Sequence, residues 1–186
     1  MLPSSLRRGE TPDGPSYTEK KRTVAIVAAT ANAHADEVQK SWDDNELSEW
    51  RNDGRISTAW ITYELAAPAA IDEISLKLTG WRQRSYPLEV LADDKVVWRG
   101  NTEKSLGYVS LFIDQPVVAQ RYTIRQTGSV SDKEAFGQVT ELEEQAKNGA
   151  NTSELDLYKT PGSEQVKGDL RIVEIDFLTH IKPLPQ

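Results

Sequence analysis

Apolar and polar residues alternate over short runs along most of the chain. In STAWITYEL (57–65) every second residue points to one apolar face, and IDEISLKLT (71–79) repeats the pattern with Ile74, Leu76 and Leu78. A period of two is that of a strand with one buried face. Further strands are predicted in RTVAIVAAT, PLEVLAD, KVVWRG, GYVSLFI, RYTIRQT and LRIVEIDFL. About eight short strands with few helical segments predict an all-β, antiparallel sandwich of the jelly-roll kind.

The residues between these runs predict one tight turn and one long loop. Asp93 and Asp94 separate two apolar runs, as in a β-hairpin. Residues 129–167 are polar, are interrupted by Gly and Asn, and contain one short helical pattern, VTELEEQAK. We predict a long insert before the last strand. Such a loop is either functional or mobile, or it is simply a solvated excursion.

The two ends of the chain differ in composition from the predicted sandwich, which spans residues 22–182. Residues 1–21 are rich in Pro, Gly, Ser and charged residues, a composition typical of a linker. Residues 183–186 form a short C-terminal tail. We therefore interpret the chain as a module cut from a longer protein, with an initiator Met added.

Length, charge and cysteine content exclude several classes of protein. The 186 residues fit one domain with a sizeable core. The absence of cysteine excludes disulfides, thiolate metal sites and a cysteine nucleophile. A net charge of −7 argues against a nucleic-acid partner, which would need a basic face. No apolar run reaches the roughly 18 residues that insertion into a membrane requires.

The order of the segments carries a resemblance to a known family. WDDNELSEWRNDG (42–54), AQRYTIR (119–125) and VEIDF (173–177) follow one another as in the F5/8 type C, or discoidin, domain. Within that superfamily the chain is most similar to carbohydrate-binding modules of family 32, from residue 22 to residue 179. It departs from the family pattern at Asp44 and Asn45, where Gly and Asp are common, and in TYEL, where Asp-Leu is usual.

A second resemblance concerns the middle of the chain. RSYPLEVLADDKVVWRGNTEKSLGYVSL (84–111) resembles C-terminal modules of bacterial glycoside hydrolases, notably the family 2 galactosidase type. This resemblance implies a catalytic domain in the same parent chain. It also agrees with a linker at residues 1–21.

The family resemblance implies a structural calcium in the turn that follows Trp42. Asp43 matches the carboxylate ligand, Ser48 the hydroxyl and carbonyl ligand, and Glu174 the distant carboxylate that closes the site. Asn45 would add a carbonyl oxygen. Calcium takes six to eight oxygen ligands, and turns expose carbonyl groups readily. The alternative is a metal-free polar turn in which Asp43 caps local amides.

A sugar site needs an aromatic platform and planar polar side chains on loops at one end of the sandwich. The segment GWRQRSYP (80–87) offers both, and Arg side chains suit anionic sugars because they pair bidentately with carboxylates. The candidate ligand-binding residues are Trp81, Arg82, Arg84, Tyr86, Arg51, Asn52 and His34. The alternative is that Trp81 caps the core and Arg84 pairs with a carboxylate. Trp42, Trp50, Trp60 and Trp98 are interpreted as structural.

These observations predict a non-catalytic carbohydrate-binding module with no catalytic residues. The two histidines lie far apart in sequence, with His180 placed in the tail, and no Gly-x-Ser-x-Gly, His-Glu-x-x-His or phosphate-loop motif is present. The module would be a monomer. It would hold a parent bacterial enzyme, secreted, periplasmic or on the cell surface, near a galactose-based or anionic polysaccharide.

Three alternatives remain open at the level of sequence. The first is a structural accessory domain that packs on a glycoside hydrolase and binds no sugar itself; it predicts a sizeable apolar patch. The second is a protein- or lipid-binding discoidin domain, which would present apolar loop tips. The third is an enzyme, which would show a cleft with paired carboxylates.

Overall fold

The computed structural model describes residues 20–80, 84–105, 107–132 and 167–181. Within them, nine strands of four or more residues carry the fold. These are β1 (Lys20–Val24), β2 (Ile26–Ala31), β4 (Trp60–Ala70), β5 (Glu73–Leu78), β7 (Pro87–Ala92), β8 (Lys95–Asn101), β9 (Val109–Phe112), β10 (Val118–Gln126) and β12 (Arg171–Ile181). Three two-residue strands are β3 (Trp50–Arg51), β6 (Arg84–Ser85) and β11 (Ser131–Asp132), and two 3₁₀ helices are Ala35–Ser41 and Ile56–Thr58.

The strands form two antiparallel sheets that enclose the core. In the first sheet the order is β1-β12-β5-β9, and β3 pairs with the start of β12. In the second sheet the order is β2-β4-β10-β7-β8. All of these pairs are antiparallel, so the predicted antiparallel β-sandwich is confirmed. A small third pair joins β11 to β6.

The core is built from the faces that the alternation predicts. Ile74, Leu76 and Leu78 of β5 are buried, as are the apolar residues at alternate positions of β4. The Phe177 ring packs edge-on against Tyr63, with ring centroids 5.6 Å apart. It packs at a tilt against Tyr122, with ring centroids 5.3 Å apart. Burying such aromatic side chains supplies a large share of the stabilising apolar area.

The tryptophans beside the acidic turn anchor it to the core, as predicted. Trp50 is fully buried, and its indole N–H donates to the carbonyl of Ala33 over 3.1 Å. Trp42 is half-buried and meets the edge of Tyr63 at a centroid distance of 5.7 Å. The turn between these two residues is therefore fixed at both ends.

The first predicted strand is in fact two strands. RTVAIVAAT was expected to be one run, but the chain leaves the first sheet at Val24 and enters the second sheet at Ile26. β1 also begins at Lys20, so the last two residues of the predicted 1–21 linker belong to the sandwich. Residues 1–19 and 182–186, with most of the predicted linker and tail, lie outside the described residues.

The hairpin at Asp93 and Asp94 is confirmed, and the insert is described only at its two ends. Both aspartates have positive φ, 42° and 75°, as the tight turn from β7 to β8 requires. Of the predicted 129–167 insert, Ser131–Asp132 form β11, and Lys167 bridges to Arg55. Residues 133–166 lie outside the described residues.

Candidate functional site

The acidic turn after the first 3₁₀ helix gathers several oxygen atoms. The hydroxyl oxygen of Ser48 lies 2.9 Å from both carboxylate oxygens of Asp43 and 2.9 Å from the carbonyl oxygen of Asn45. The backbone N–H of Asn45 donates to Asp43 over 3.1 Å. Asp44 adopts φ +58°, a left-handed conformation that Asp tolerates better than most other non-glycine residues. The turn therefore holds Asp43, Asn45 and Ser48 together.

Glu174 of β12 approaches this turn from the neighbouring sheet. Its carboxylate accepts a hydrogen bond from the backbone N–H of Asp44, yet its Oε2 atom is buried and has no partner among the described residues. Burial, and after it the negative charges of Asp176, Asp43 and Asp44, together raise the pKa of Glu174 to about 7. The four carboxylates therefore lie close enough to repel one another.

The chemistry of these donors fits a hard cation. Carboxylate, hydroxyl and carbonyl oxygens are the ligands that calcium prefers. A cation here would satisfy the orphaned Oε2 of Glu174 and offset its repulsion with Asp43. In the described part of the chain, no three histidine, aspartate or glutamate side chains converge closely enough to hold a metal by themselves. Carbonyl oxygens of the turn would therefore have to complete the ligand set.

An open groove of about 450 Å³ lies beside the acidic turn, where β3 pairs with the start of β12. We call it the arginine groove. It is lined by His34, Arg51, Asn52, Asp53, Gly54, Asp169 and Arg171. Three of these residues, His34, Arg51 and Asn52, were predicted from the sequence as ligand-binding residues.

Long-range backbone contacts build this groove. Asn52 is 5% exposed; its amide donates to the carbonyl of Arg55 over 2.9 Å and accepts from the N–H of Leu170 over 3.0 Å. Gly168 packs directly on the chain here, since a Cβ at position 168 would lie 2.5 Å from the carbonyl oxygen of Arg55. The segment before β12 therefore docks against Gly54, which accepts a hydrogen bond from the Gly168 N–H.

Most of the charged groups around the groove are paired with one another. The carboxylate of Asp169 joins Arg84 at 2.8 Å and Arg171 at 2.7 Å. The Arg55 guanidinium, with the Thr58 hydroxyl, holds the pKa of Asp53 well below its usual range. These contacts fix the walls of the groove.

Arg51 and His34 differ from these paired groups. Arg51 is exposed and forms no salt bridge with any residue that the structure describes, although its charge, after the contact with Lys40, helps to lower the pKa of the Glu37 carboxyl. His34 is exposed as well; its Nδ1 lies 2.8 Å from the carbonyl oxygen of Arg51, and its backbone has φ +48°. The groove thus presents one guanidinium and one imidazole edge to a ligand.

The other predicted ligand residues have different outcomes. Trp81 and Arg82 lie outside the described residues. The prediction for Tyr86 is wrong: its ring is fully buried and its hydroxyl donates to the carbonyl of Thr79 over 2.7 Å, so no face remains for a sugar. Asn52 lines the groove, but its amide is committed to backbone groups, so its role is to shape the groove. Arg84 reaches the same region through Asp169.

Sequence reasoning placed the segment Arg51–Asp53 at the ligand site but missed Asp169 and Arg171 as groove residues. Arg171 lies opposite Arg51 in the pairing of β12 with β3, a contact between residues 120 positions apart that no local pattern shows. His180 was placed in the tail, but it belongs to β12 and its Nδ1 lies 2.6 Å from Asp72. None of the described helices is long and apolar enough to cross a membrane.

Comparison with known proteins identifies relatives by structure alone. No family model matches the sequence, and no curated protein matches it. Among solved structures, 90% of the chain matches a truncated AlyQ with CBM32 and alginate lyase domains, at a TM-score of 0.60 and 14% identity. The isolated CBM32 of AlyQ, solved with 4,5-unsaturated mannuronic acid, matches 84% of the chain at a TM-score of 0.56 and 16% identity.

A third structure extends the comparison to another binding module. The family 32 module of NanJ from C. perfringens, solved with galactose, matches 86% of the chain at a TM-score of 0.53 and 13% identity. The chain covers 97% and 100% of the two isolated modules, but only 36% of the two-domain AlyQ chain. At such low identities the likeness establishes that the chain has the fold of family 32 carbohydrate-binding modules.

Proposed function

We propose that the chain is a non-catalytic carbohydrate-binding module that binds sugar in the arginine groove. The observation that carries the proposal is the exposed Arg51 guanidinium, unpaired among the described residues, beside the His34 imidazole in an open groove of about 450 Å³. A groove of this size accommodates a few sugar rings, and its polar groups would orient their hydroxyl and carboxylate groups. The matched modules that the chain covers almost completely are carbohydrate-binding modules, which supports the same role.

We favour an anionic polysaccharide over a galactose-based one as the ligand. A free guanidinium pairs bidentately with a carboxylate, whereas a neutral sugar gains less from it. The matched AlyQ module was solved with an unsaturated uronic acid, which agrees with this choice for a protein of the same fold. Because the groove is open to solvent, we expect weak affinity for a single site.

We further propose that calcium occupies the acidic turn and stabilises the module. Asp43, Asn45, Ser48 and Glu174 would hold the ion, with carbonyl oxygens completing the ligand set. The bound ion would supply positive charge that ties the turn to β12. The orphaned Oε2 of Glu174 supports this assignment, because a buried carboxylate oxygen without a partner is costly.

The biological setting follows as part of the proposal. A module of this kind would belong to a larger bacterial enzyme that is secreted, periplasmic or held at the cell surface. It would raise the local concentration of polysaccharide at the catalytic domain. The two-domain AlyQ structure offers one example of such an arrangement in a protein of the same fold.

Calorimetric titration with trigalacturonate, trimannuronate and galactose tests the sugar site. We expect the acidic trisaccharides to bind, and Arg51→Ala to weaken that binding about tenfold or more, as loss of a charged contact does. Arg22→Ala is the matched control, since Arg22 is also exposed but lies on β1. If the folded protein binds no glycan from a broad neutral and acidic panel, the accessory-domain alternative replaces this function.

A further inference from the structure

A second groove of about 450 Å³ lies at the open edge of the sandwich, where β8 ends one sheet and β9 ends the other. We call it the edge groove. Its aromatic residues are Trp98, Tyr108 and Phe112, and its exposed polar side chains include Asn101, Glu103 and Lys104. It shares no lining residue with the arginine groove.

Two of the three aromatic rings of the edge groove, those of Trp98 and Tyr108, make contacts that restrain them although they are partly exposed. The six-membered ring of Trp98 lies over Gly100, where a Cβ would come within 3.1 Å of it. The hydroxyl of Tyr108 donates to Glu46 over 3.2 Å, and the Lys77 ammonium lies 5.7 Å from its ring centroid. Rings that are already immobilised lose little entropy when a ligand stacks on them.

The polar side chains of the edge groove, in contrast, have no partners. Asn101, Glu103 and Lys104 are exposed, and none of them forms a side-chain hydrogen bond or ion pair with another described residue. An amide, a carboxylate and an ammonium group therefore surround the aromatic rings with free donors and acceptors. The charges of Glu103 and Lys104 cancel.

We propose that the edge groove is a second carbohydrate-binding site, specific for neutral oligosaccharides. A pyranose ring has an apolar face of C–H groups and a rim of hydroxyl groups. Trp98, Tyr108 and Phe112 would contact the face, while the unpaired amide and charged groups would bond the rim. This site goes beyond the arginine groove and does not depend on it.

The same lining disfavours a protein partner. Phe112 is 59% exposed and Tyr108 is 40% exposed, so the surface is apolar enough to attract one. However, a protein would bury Glu103 and Lys104, and the centres of protein interfaces are depleted of such charges. A sugar brings hydroxyl groups to them and leaves the groove partly wet.

Nuclear magnetic resonance of the whole ¹⁵N-labelled chain tests this site directly. The probes are galactotetraose, cellotetraose and mannotetraose, and the readout is the indole N–H resonance of Trp98, identified by its loss in Trp98→Phe. We expect at least one neutral tetrasaccharide to shift this resonance. Phe112→Ala and Asn101→Ala should each weaken that binding about fivefold or more, as loss of a central contact does.

Two controls separate this result from the arginine groove and from general damage. Val118→Ala removes another exposed apolar side chain, 71% exposed and remote in sequence, and should leave the affinity unchanged. Arg51→Ala should leave the Trp98 shift unchanged while it weakens trigalacturonate binding about tenfold or more, so each site can fail alone. The proposal is overturned if no probe moves the Trp98 resonance, or if Phe112→Ala binds as tightly as the wild type. It is also overturned if sugars have no effect and sedimentation shows a dimer that Phe112→Ala dissociates.

Discussion

The arginine groove and the edge groove have the same volume of about 450 Å³ but opposite chemistry. In the arginine groove most charged side chains already bond one another, and Arg51 is the exception. In the edge groove the rings of Trp98 and Tyr108 are restrained, while Asn101, Glu103 and Lys104 form no side-chain hydrogen bond or ion pair with another described residue. If both proposals hold, the first arrangement would select ligands by charge and the second by an apolar face.

The two grooves also differ in how the fold builds them. The arginine groove depends on contacts between distant segments, such as Asn52 with Leu170. The edge groove forms within one stretch of chain, because β8 and β9 follow one another and the residues between them supply its polar groups. Damage to a single long-range contact should therefore harm the first groove and spare the second.

Asn52→Ala should produce the largest effect of any single change in either groove. It removes a buried amide that bonds the carbonyl of Arg55 and the N–H of Leu170, leaving backbone groups unsatisfied. We expect the free energy of unfolding in urea to fall by about 2–4 kcal/mol. Asn101→Ala, the matched change in the edge groove, should alter it by less than about 0.5 kcal/mol. Equal losses in the two variants would contradict the structural difference between the grooves.

The acidic turn touches both grooves and provides the second test. Glu49 lies 3.9 Å from Arg171 of the arginine groove, while Glu46 accepts from Tyr108 of the edge groove. A calcium ion in the turn would therefore influence both. Its presence can be judged from Glu174, whose pKa is raised from 4.5 to about 7.

Without calcium, the stability of the module should fall as the pH rises from about 4.5 to 7. The folded protein holds the Glu174 proton more tightly than the unfolded chain does, so ionisation favours unfolding. In chelator, the melting temperature should drop by a few degrees over this range.

Glu174→Gln should remove this dependence of the melting temperature on pH, whereas Glu64→Gln, an exposed control on β4, should keep it. Added calcium should raise the melting temperature of the wild type at pH 8 but not that of Glu174→Gln. An unchanged slope in Glu174→Gln would reject this account of the turn.

The strands could be predicted because burial with a period of two is a local property. Ile74, Leu76 and Leu78 show this period within five residues. The turn at Asp93 and Asp94 is equally local, because two adjacent residues mark it. The change of sheet between Val24 and Ile26 could not be predicted, since the sequence stays apolar through it. Only pairing with β12 on one side and β4 on the other separates these strands.

The arginine groove was less predictable because its side chains meet through distant pairings. Arg51 and His34 were expected in one place because they flank the same turn region. Arg171 joins them only through strand pairing, and Asp169 only through the docking of Gly168. Tyr86 was assigned to the ligand because it offers an aromatic face in the GWRQRSYP segment, but the burial of its ring is set by the whole sheet. The aromatic residues Trp98 and Tyr108 reach one groove because two sheet edges meet there.

The smallest expected effect comes from Glu46→Ala, and it decides whether the grooves are independent. This change removes the carboxylate that accepts a hydrogen bond from the Tyr108 hydroxyl and forms an ion pair with the Lys77 ammonium. Because Glu46 is exposed, its ion pair is screened by solvent and the stability of the module should change little. A less rigid Tyr108 should weaken neutral-tetrasaccharide binding about twofold to threefold, since ordering a side chain costs affinity. Trigalacturonate affinity should stay constant, and Asp36→Ala, an exposed control on the first 3₁₀ helix, should change neither. If both affinities fall together in Glu46→Ala, the acidic turn couples the grooves and they act as one site.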